Sequence, residues 1–234
     1  MKTLVKQMAL GTVGLCILAA VSAGAGSLTI GDTVTVNETG VSPQGVVLLN
    51  DTATGGAWEG VYAGVYQLQI IDGGSTYNNV SSFCIDPFDW SGSSSSYTVG
   101  LLSGVSSLSN PHGMTSTAAT IVNQLLSYYG SRATPGSQAA VDLQVAIWDA
   151  IGMYSPTGEK WAGLVENSSG GTYVFASGET FAEYEAAATA SGPSGDYLVV
   201  TDDAQNYVLV PDGGSTMVLL GMALTGLGVL RRKA

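Results

Sequence analysis

Basic charge is scarce in this chain, and most of it sits at the ends. The 234 residues hold seven lysines and arginines against 18 acidic residues, a formal net charge of -11. Lys2, Lys6, Arg231, Arg232 and Lys233 lie in the terminal segments. Between Gly26 and Pro211 only Arg132 and Lys160 remain against 17 acidic residues, a net of -15. Phosphate backbones are bound by clustered Lys and Arg, so the balance excludes nucleic acid as a partner. Histidine occurs once, at His112 in the turn sequence Asn110-Pro111-His112-Gly113, and cysteine twice. There is no His/Cys cluster for a metal, no Asp/Asn loop with calcium spacing and no phosphate-cradling glycine motif, so no cofactor or metal is expected. Charged residues make up only 11%, but 45% of the chain is hydrophobic, enough for a packed core and too much for wholesale disorder. The 32 glycines and 7 prolines fall well short of a collagen-like content. The length suits one domain of moderate size plus processing segments, or two small lobes.

Both ends read as targeting segments. Met1 to Lys6 is a short basic start, Met8 to Ala20 an apolar run, and Val21-Ser22-Ala23-Gly24-Ala25 a zone of small residues. That order is a secretory signal peptide over residues 1–25, with cleavage expected near Ala23 or Ala25. Cys16 lies in the apolar run and leaves with it. At the other end Val210-Pro211-Asp212-Gly213-Gly214 precedes an apolar stretch from Ser215 to Leu230, closed by Arg231-Arg232-Lys233-Ala234. Sixteen apolar residues are short for a span, where about 20 is usual, and the basic cluster would stay on the cytoplasmic side. A signal at one end and this motif, helix and basic tail at the other resemble the PEP-CTERM class of exosortase substrates, and most closely its VPDSG variant. Gly213 stands where that variant has Ser. The resemblance covers residues 210–234. It implies a Gram-negative-type envelope, transient anchoring in the inner membrane through the C-terminal helix, and cutting of the tail by an exosortase-type processing enzyme. The body would then reach the cell envelope, cell surface or extracellular matrix.

The body, residues 26–209, carries two hydrophobic periods. Strands are expected at Leu28 to Val36, Val46 to Leu49, Val61 to Ile71, Val80 to Asp86 and Tyr97 to Leu102. In the third, Tyr62, Tyr66, Leu68 and Ile70 fall on one face and Gln67 and Gln69 on the other. Asp72-Gly73-Gly74-Ser75 is a turn, and Ser91 to Ser96 a Ser/Gly loop. Helical spacing takes over at Ser116 to Tyr129, stopped by Gly130, and at Ser137 to Ile151, closed by Gly152. Glu179 to Ala190 is a third helix. Tyr197 to Thr201 and Asn206 to Val210 form a closing hairpin around Asp202-Asp203-Ala204. The expected fold class is α+β: an antiparallel β frame, sandwich or barrel-like, with a helical insert of two to three helices, plus the signal helix and a C-terminal transmembrane helix.

Once Cys16 is removed, Cys84 is the single cysteine of an exported protein, where cysteines normally pair. An intermolecular bridge, a reactive thiol and a buried inert thiol are the alternatives. Cys84 sits in Phe83-Cys84-Ile85-Asp86, between large apolar residues. On the second helix Gln144 falls in the seam Ala140, Gln144, Trp148, beside Leu143 and Ile147. A buried amide must be hydrogen-bonded or it costs about 1–3 kcal/mol. One way to remove that problem is to consume the amide in a bond to the thiol.

Phe83-Cys84-Ile85 and Gln144-Val145-Ala146-Ile147-Trp148 resemble the thioester domains of bacterial surface adhesins, which pair an aromatic-Cys-aliphatic motif with a later Gln-x-Ala-Ile-Trp motif. The second motif matches at every defined position; Leu143 stands where the family often has Thr. The resemblance covers residues 60 to 155. It implies an internal Cys84–Gln144 thioester that a partner's amine or hydroxyl opens, leaving the partner acylated at Gln144. This is single-use acyl transfer, not an enzyme. Trp148, one turn on, is placed to cover the bond, or to pack the core. Asp86 is placed to orient a neighbouring donor, or to form the turn before Pro87. A body with one lysine, Lys160, suits a stored electrophile. The competing reading is a structural or carbohydrate-binding envelope or biofilm protein with an inert, buried Cys84, in which Trp58, Tyr62, Tyr66 and Trp90 line a sugar site.

Overall fold

The computed structural model describes residues 28–51, 57–86, 95–107, 114–153, 165–167, 173–192, 196–201 and 205–210. The expected signal peptide and C-terminal helix, and also His112, Lys160, Trp90, Asp202, Asp203 and Pro211 to Gly214, lie outside them. Among the described residues no helix is long and apolar enough to cross a membrane.

Among the described residues seven strands and three α-helices follow one another: β1 (Thr33–Asp51), β2 (Ala57–Asp72), β3 (Ser75–Cys84), β4 (Ser95–Leu101), α1 (Ser116–Tyr129), α2 (Gln138–Met153), β5 (Val165–Asn167), α3 (Phe181–Ser191), β6 (Leu198–Thr201) and β7 (Tyr207–Leu209). Every strand pairing is antiparallel. Strand order β1-β2-β3-β7-β6-β4 returns to β1, because β1 pairs with β2 along one edge and with β4 along the other. The frame is therefore a six-stranded barrel, and closure leaves those six strands paired on both sides. β5 adds to the far end of β1, with Val47 opposite Asn167.

The two strands expected at Leu28 to Val36 and Val46 to Leu49 are one continuous β1. Its N-terminal part closes the barrel on β4, from Thr33–Thr98 to Val36–Ser95, while its whole length from Thr35 to Asp51 pairs with β2. Register shifts at Glu38/Gly40 and Pro43/Gly45 let a strand of 19 residues bend round the barrel. In β2 the buried side changes phase: Val61, Ala63 and Val65 are buried, then Tyr66, Leu68 and Ile70. Tyr62 is consequently 55% exposed instead of sharing the core face of Tyr66. β5, three residues long, had no signal in the hydrophobic period.

α1 begins at Ser116, where the Thr115 side chain accepts from the Ala118 N–H. Gly130 does not stop it sharply. With φ -54 it continues into a 3-10 turn through Arg132, and the reversal toward α2 comes at Gly136, whose φ of 78 favours glycine. α3 starts with a capping box in which Thr180 and Glu183 bond each other's main-chain N–H. α2 runs through Gly152 to Met153, and every residue from Ala140 to Trp148 is buried. A helix apolar all round belongs in an interior, and α2 packs against β2, α1 and α3. Its two buried polar residues are Asp142 and Gln144.

Candidate functional site at the end of β3

Cys84 is the last residue of β3 and has no exposed surface. β7 holds it in place: Cys84 pairs with Tyr207, and the ladder continues one step as the Ile85 N–H donates to the Asn206 carbonyl at 2.9 Å. From the other side α2 presents Gln144, also without exposed surface. Gln144 meets the Cys84 main chain at both ends of its amide. Oε1 accepts from the Cys84 N–H at 3.0 Å, and Nε2 donates to the Cys84 carbonyl at 2.7 Å. One helical turn on, Trp148 Nε1 donates to that same carbonyl at 3.0 Å, with the indole 4% exposed. The pair expected from the motifs, 60 positions apart, is thus brought together, with Trp148 against it.

Asp86 lies just beyond the strand, fully buried. Its main-chain N–H donates to Cys84 Sγ at 3.3 Å, and its Oδ2 accepts from Asn206 Nδ2 at 3.3 Å. Val210, the first residue of the sorting motif, is half-buried and donates its N–H to the Ser81 carbonyl at 2.9 Å.

Gln205 is the residue that sequence reasoning missed. It is 7% exposed, and its Nε2 donates to Cys84 Sγ at 2.8 Å. Its Oε1 lies 2.9 Å from the Tyr207 hydroxyl, which lies 2.9 Å from Glu38 Oε2. Nothing in the local pattern around Asp202-Asp203-Ala204 marks it; only the pairing of β7 with β3 carries it to the sulfur.

Burial governs the electrostatics. It pushes the Cys84 thiol up to about 12, against the lowering effect of the Gln205 amide and the Asp86 N–H. Tyr66 and Tyr207 are also raised, first by burial and then by the negative charge that Cys84 and Glu38 would bring near them. At neutral pH the sulfur is therefore a protonated thiol. The Cys84 N–H polarises the Gln144 carbonyl, as a donor aimed at a developing oxyanion would. Among the described residues no group of three His, Cys, Asp or Glu is arranged to hold a metal ion.

Residues 210–234 match the family model of the VPDSG-CTERM motif. That sorting signal of the exosortase class implies an exported protein, processed by an exosortase-type enzyme and delivered to the cell envelope or surface. No curated protein and no solved structure matches the chain.

Proposed function

We propose that the body is a single-use acylating module of the cell surface, storing a thioester between Cys84 and Gln144 for covalent attachment to a partner. The observation that carries this reading is the docking of both ends of the Gln144 amide on the main chain of Cys84, in a site closed to water. Such docking fixes the Gln144 amide on the main chain of the residue that carries the thiol, which lowers the entropy cost of bringing the two groups together. In the first step Sγ bonds to the Gln144 carbonyl carbon and the bond to Nε2 breaks. Ammonia leaves with the proton that was on the thiol. In the second step an amine or hydroxyl of a matrix or cell-surface partner attacks that carbon. The carbon–sulfur bond breaks, the nucleophile's proton goes to sulfur, and the partner ends as an amide or ester of Gln144. Trp148, bonded to the Cys84 carbonyl, excludes water from the stored bond, and Asp86 orients the segment that follows Cys84.

The competing reading, an inert Cys84 in a structural or carbohydrate-binding envelope protein, draws on a different observation. The Gln144 amide is satisfied as an intact amide, and burial holds the thiol protonated. Intact mass separates the two. The acylating module leaves the cell one ammonia lighter than its sequence, resists alkylation at Cys84 while folded, and takes up methylamine at Gln144 with release of the thiol. Cys84→Ala and Gln144→Ala each abolish both mass changes. Full sequence mass with no amine uptake leaves the inert-thiol protein.

A further inference from the structure

Gln144 spends its whole amide on the main chain of Cys84, Oε1 on the N–H and Nε2 on the carbonyl. The side-chain amide found against the sulfur belongs to Gln205, two residues before β7, whose Nε2 donates to Cys84 Sγ at 2.8 Å. That is a close approach to sulfur. An N–H donor usually stands about 2.9–3.0 Å from oxygen, the smaller atom. The Asp86 N–H stands 3.3 Å from this same sulfur. Strand pairing sets the approach. Cys84 ends β3 opposite Tyr207 of β7, and the Ile85 N–H donates to the Asn206 carbonyl, so the residue before Asn206 is delivered to the thiol. The far end of the Gln205 amide is gripped as well, because the Tyr207 hydroxyl donates to Oε1 at 2.9 Å. The amide carbon thus joins an oxygen held by a hydrogen-bond donor to a nitrogen held at a nucleophile, in a side chain 7% exposed.

We propose that Gln205, and not Gln144, is the amide that Cys84 consumes, with Tyr207 as oxyanion donor and Gln144 as the clamp on the last residue of β3. The proposal rests on the acylating-module reading and changes the acyl donor within it. Sγ bonds to Gln205 Cδ, and negative charge builds on Oε1. The Tyr207 hydroxyl has one proton for two acceptors, Oε1 and Glu38 Oε2, each at 2.9 Å. The tetrahedral alkoxide is more basic than a carboxylate and draws that proton to itself. The bond from Cδ to Nε2 then breaks. Burial keeps the thiol protonated until this point, and its proton leaves with Nε2 as ammonia. In the second step a partner's amine attacks the same carbon. The Cδ–Sγ bond breaks, one amine proton goes to sulfur, and the partner ends as an amide of Gln205. While it is stored, the bond also staples β7 to β3.

The experiment treats the mature exported protein with methylamine and maps its peptides by tandem mass spectrometry. The methylamide is expected on Gln205, with Gln144 unmodified. A methylamide on Gln144 overturns the proposal and leaves the Cys84–Gln144 bond standing. Full sequence mass with no methylamine uptake overturns both. Gln205→Glu keeps the shape of the side chain and holds no ammonia to lose, so it is expected at its full sequence mass; loss of one ammonia there overturns the proposal too. Tyr207→Phe is expected to slow ammonia loss after refolding by about 100-fold, and an unchanged rate overturns the oxyanion role. Should either variant lose the near-ultraviolet circular dichroism of its parent, the peptide map of the parent decides the acyl donor. Glu38→Gln, at an exposed position, then decides the role of Tyr207. Its amide N–H donates to the Tyr207 oxygen and leaves the hydroxyl proton to Oε1, so ammonia loss should quicken; an unchanged or slower rate overturns that role.

Discussion

Gln144 holds Cys84 by its main chain: the amide of one closes a two-bond ring with the N–H and carbonyl of the other, at 3.0 and 2.7 Å. It is the contact a neighbouring strand would make, supplied here by a helix at the point where β3 ends.

Removing that contact leaves a buried N–H without its acceptor, while the carbonyl keeps Trp148 as donor. Gln144→Leu should therefore lower stability by about 1–3 kcal/mol, read from urea unfolding. A variant as stable as the parent would mean that β3 does not need the helix to end where it does.

Trp148 contributes a hydrogen bond and a large buried ring, and the two separate by substitution. Trp148→Phe should cost about 1 kcal/mol for the lost N–H donor, and Trp148→Ala about 3–5 kcal/mol for the cavity. Under the thioester reading Trp148→Ala also speeds hydrolysis of the bond, seen as regain of the mass of one water with a free thiol. Hydrolysis at the parental rate would assign Trp148 to packing only.

Asp142, the other buried polar residue of α2, ties the segment before α3 to the helix. It accepts from the Tyr173 hydroxyl at 2.5 Å, Gln138 Nε2 at 3.0 Å and the Ala176 N–H at 3.1 Å. Asp142→Ala should cost about 1–3 kcal/mol, because it takes the acceptor from the buried Tyr173 hydroxyl and from the Ala176 N–H, while Gln138 Nε2 keeps the Tyr173 oxygen. Hydrogen exchange should quicken first at Ala176; uniform quickening across the barrel would contradict a local tie.

Asp149 on α2 and Glu185 on α3 oppose each other electrostatically. Burial raises Asp149 from 3.8 to about 6, and burial together with the Asp149 charge raises Glu185 from 4.5 to about 7. Both groups hold their protons more tightly folded than unfolded. Their contribution is therefore full below about pH 4 and is lost as pH rises through 6 to 7. Glu185 is about half in solvent, so screening trims the effect. Glu185→Gln should gain about 1–2 kcal/mol over the parent at pH 8 and nothing at pH 4. An equal gain at both values would point to packing instead of charge.

Processing is checked on protein from its own host. The mature chain should begin near Gly24 or Gly26 and lack Arg231 to Ala234, read by terminal peptides in mass spectrometry. An intact C-terminus on protein taken from the cell surface would contradict sorting through residues 210–234.

Much of the frame was readable from periodicity. α1 spans Ser116–Tyr129 as the stripe of Ala118, Val122, Leu125 and Tyr129 required, and the sorting segment announced itself through motif, apolar run and basic tail. Local order of this kind needs only neighbours in the chain. The single long β1, the phase change at Val65–Tyr66 and the short β5 were hidden, because bulges and three-residue pairings follow from the partner strand.

The site divides in the same way. Residue types and spacing singled out Cys84, Gln144 and Trp148, because a lone exported cysteine and an amide on an apolar helix face are each anomalous in their own segment. That Gln144 bonds the main chain of Cys84, and that Gln205 reaches its sulfur across 121 positions, depends on closing β7 against β3 with α2 beside them. Barrel closure is a non-local event: no segment carries a record of which strand will lie next to it. The chain's own pattern therefore determined which residues needed partners, and only the tertiary structure decided which partners they have.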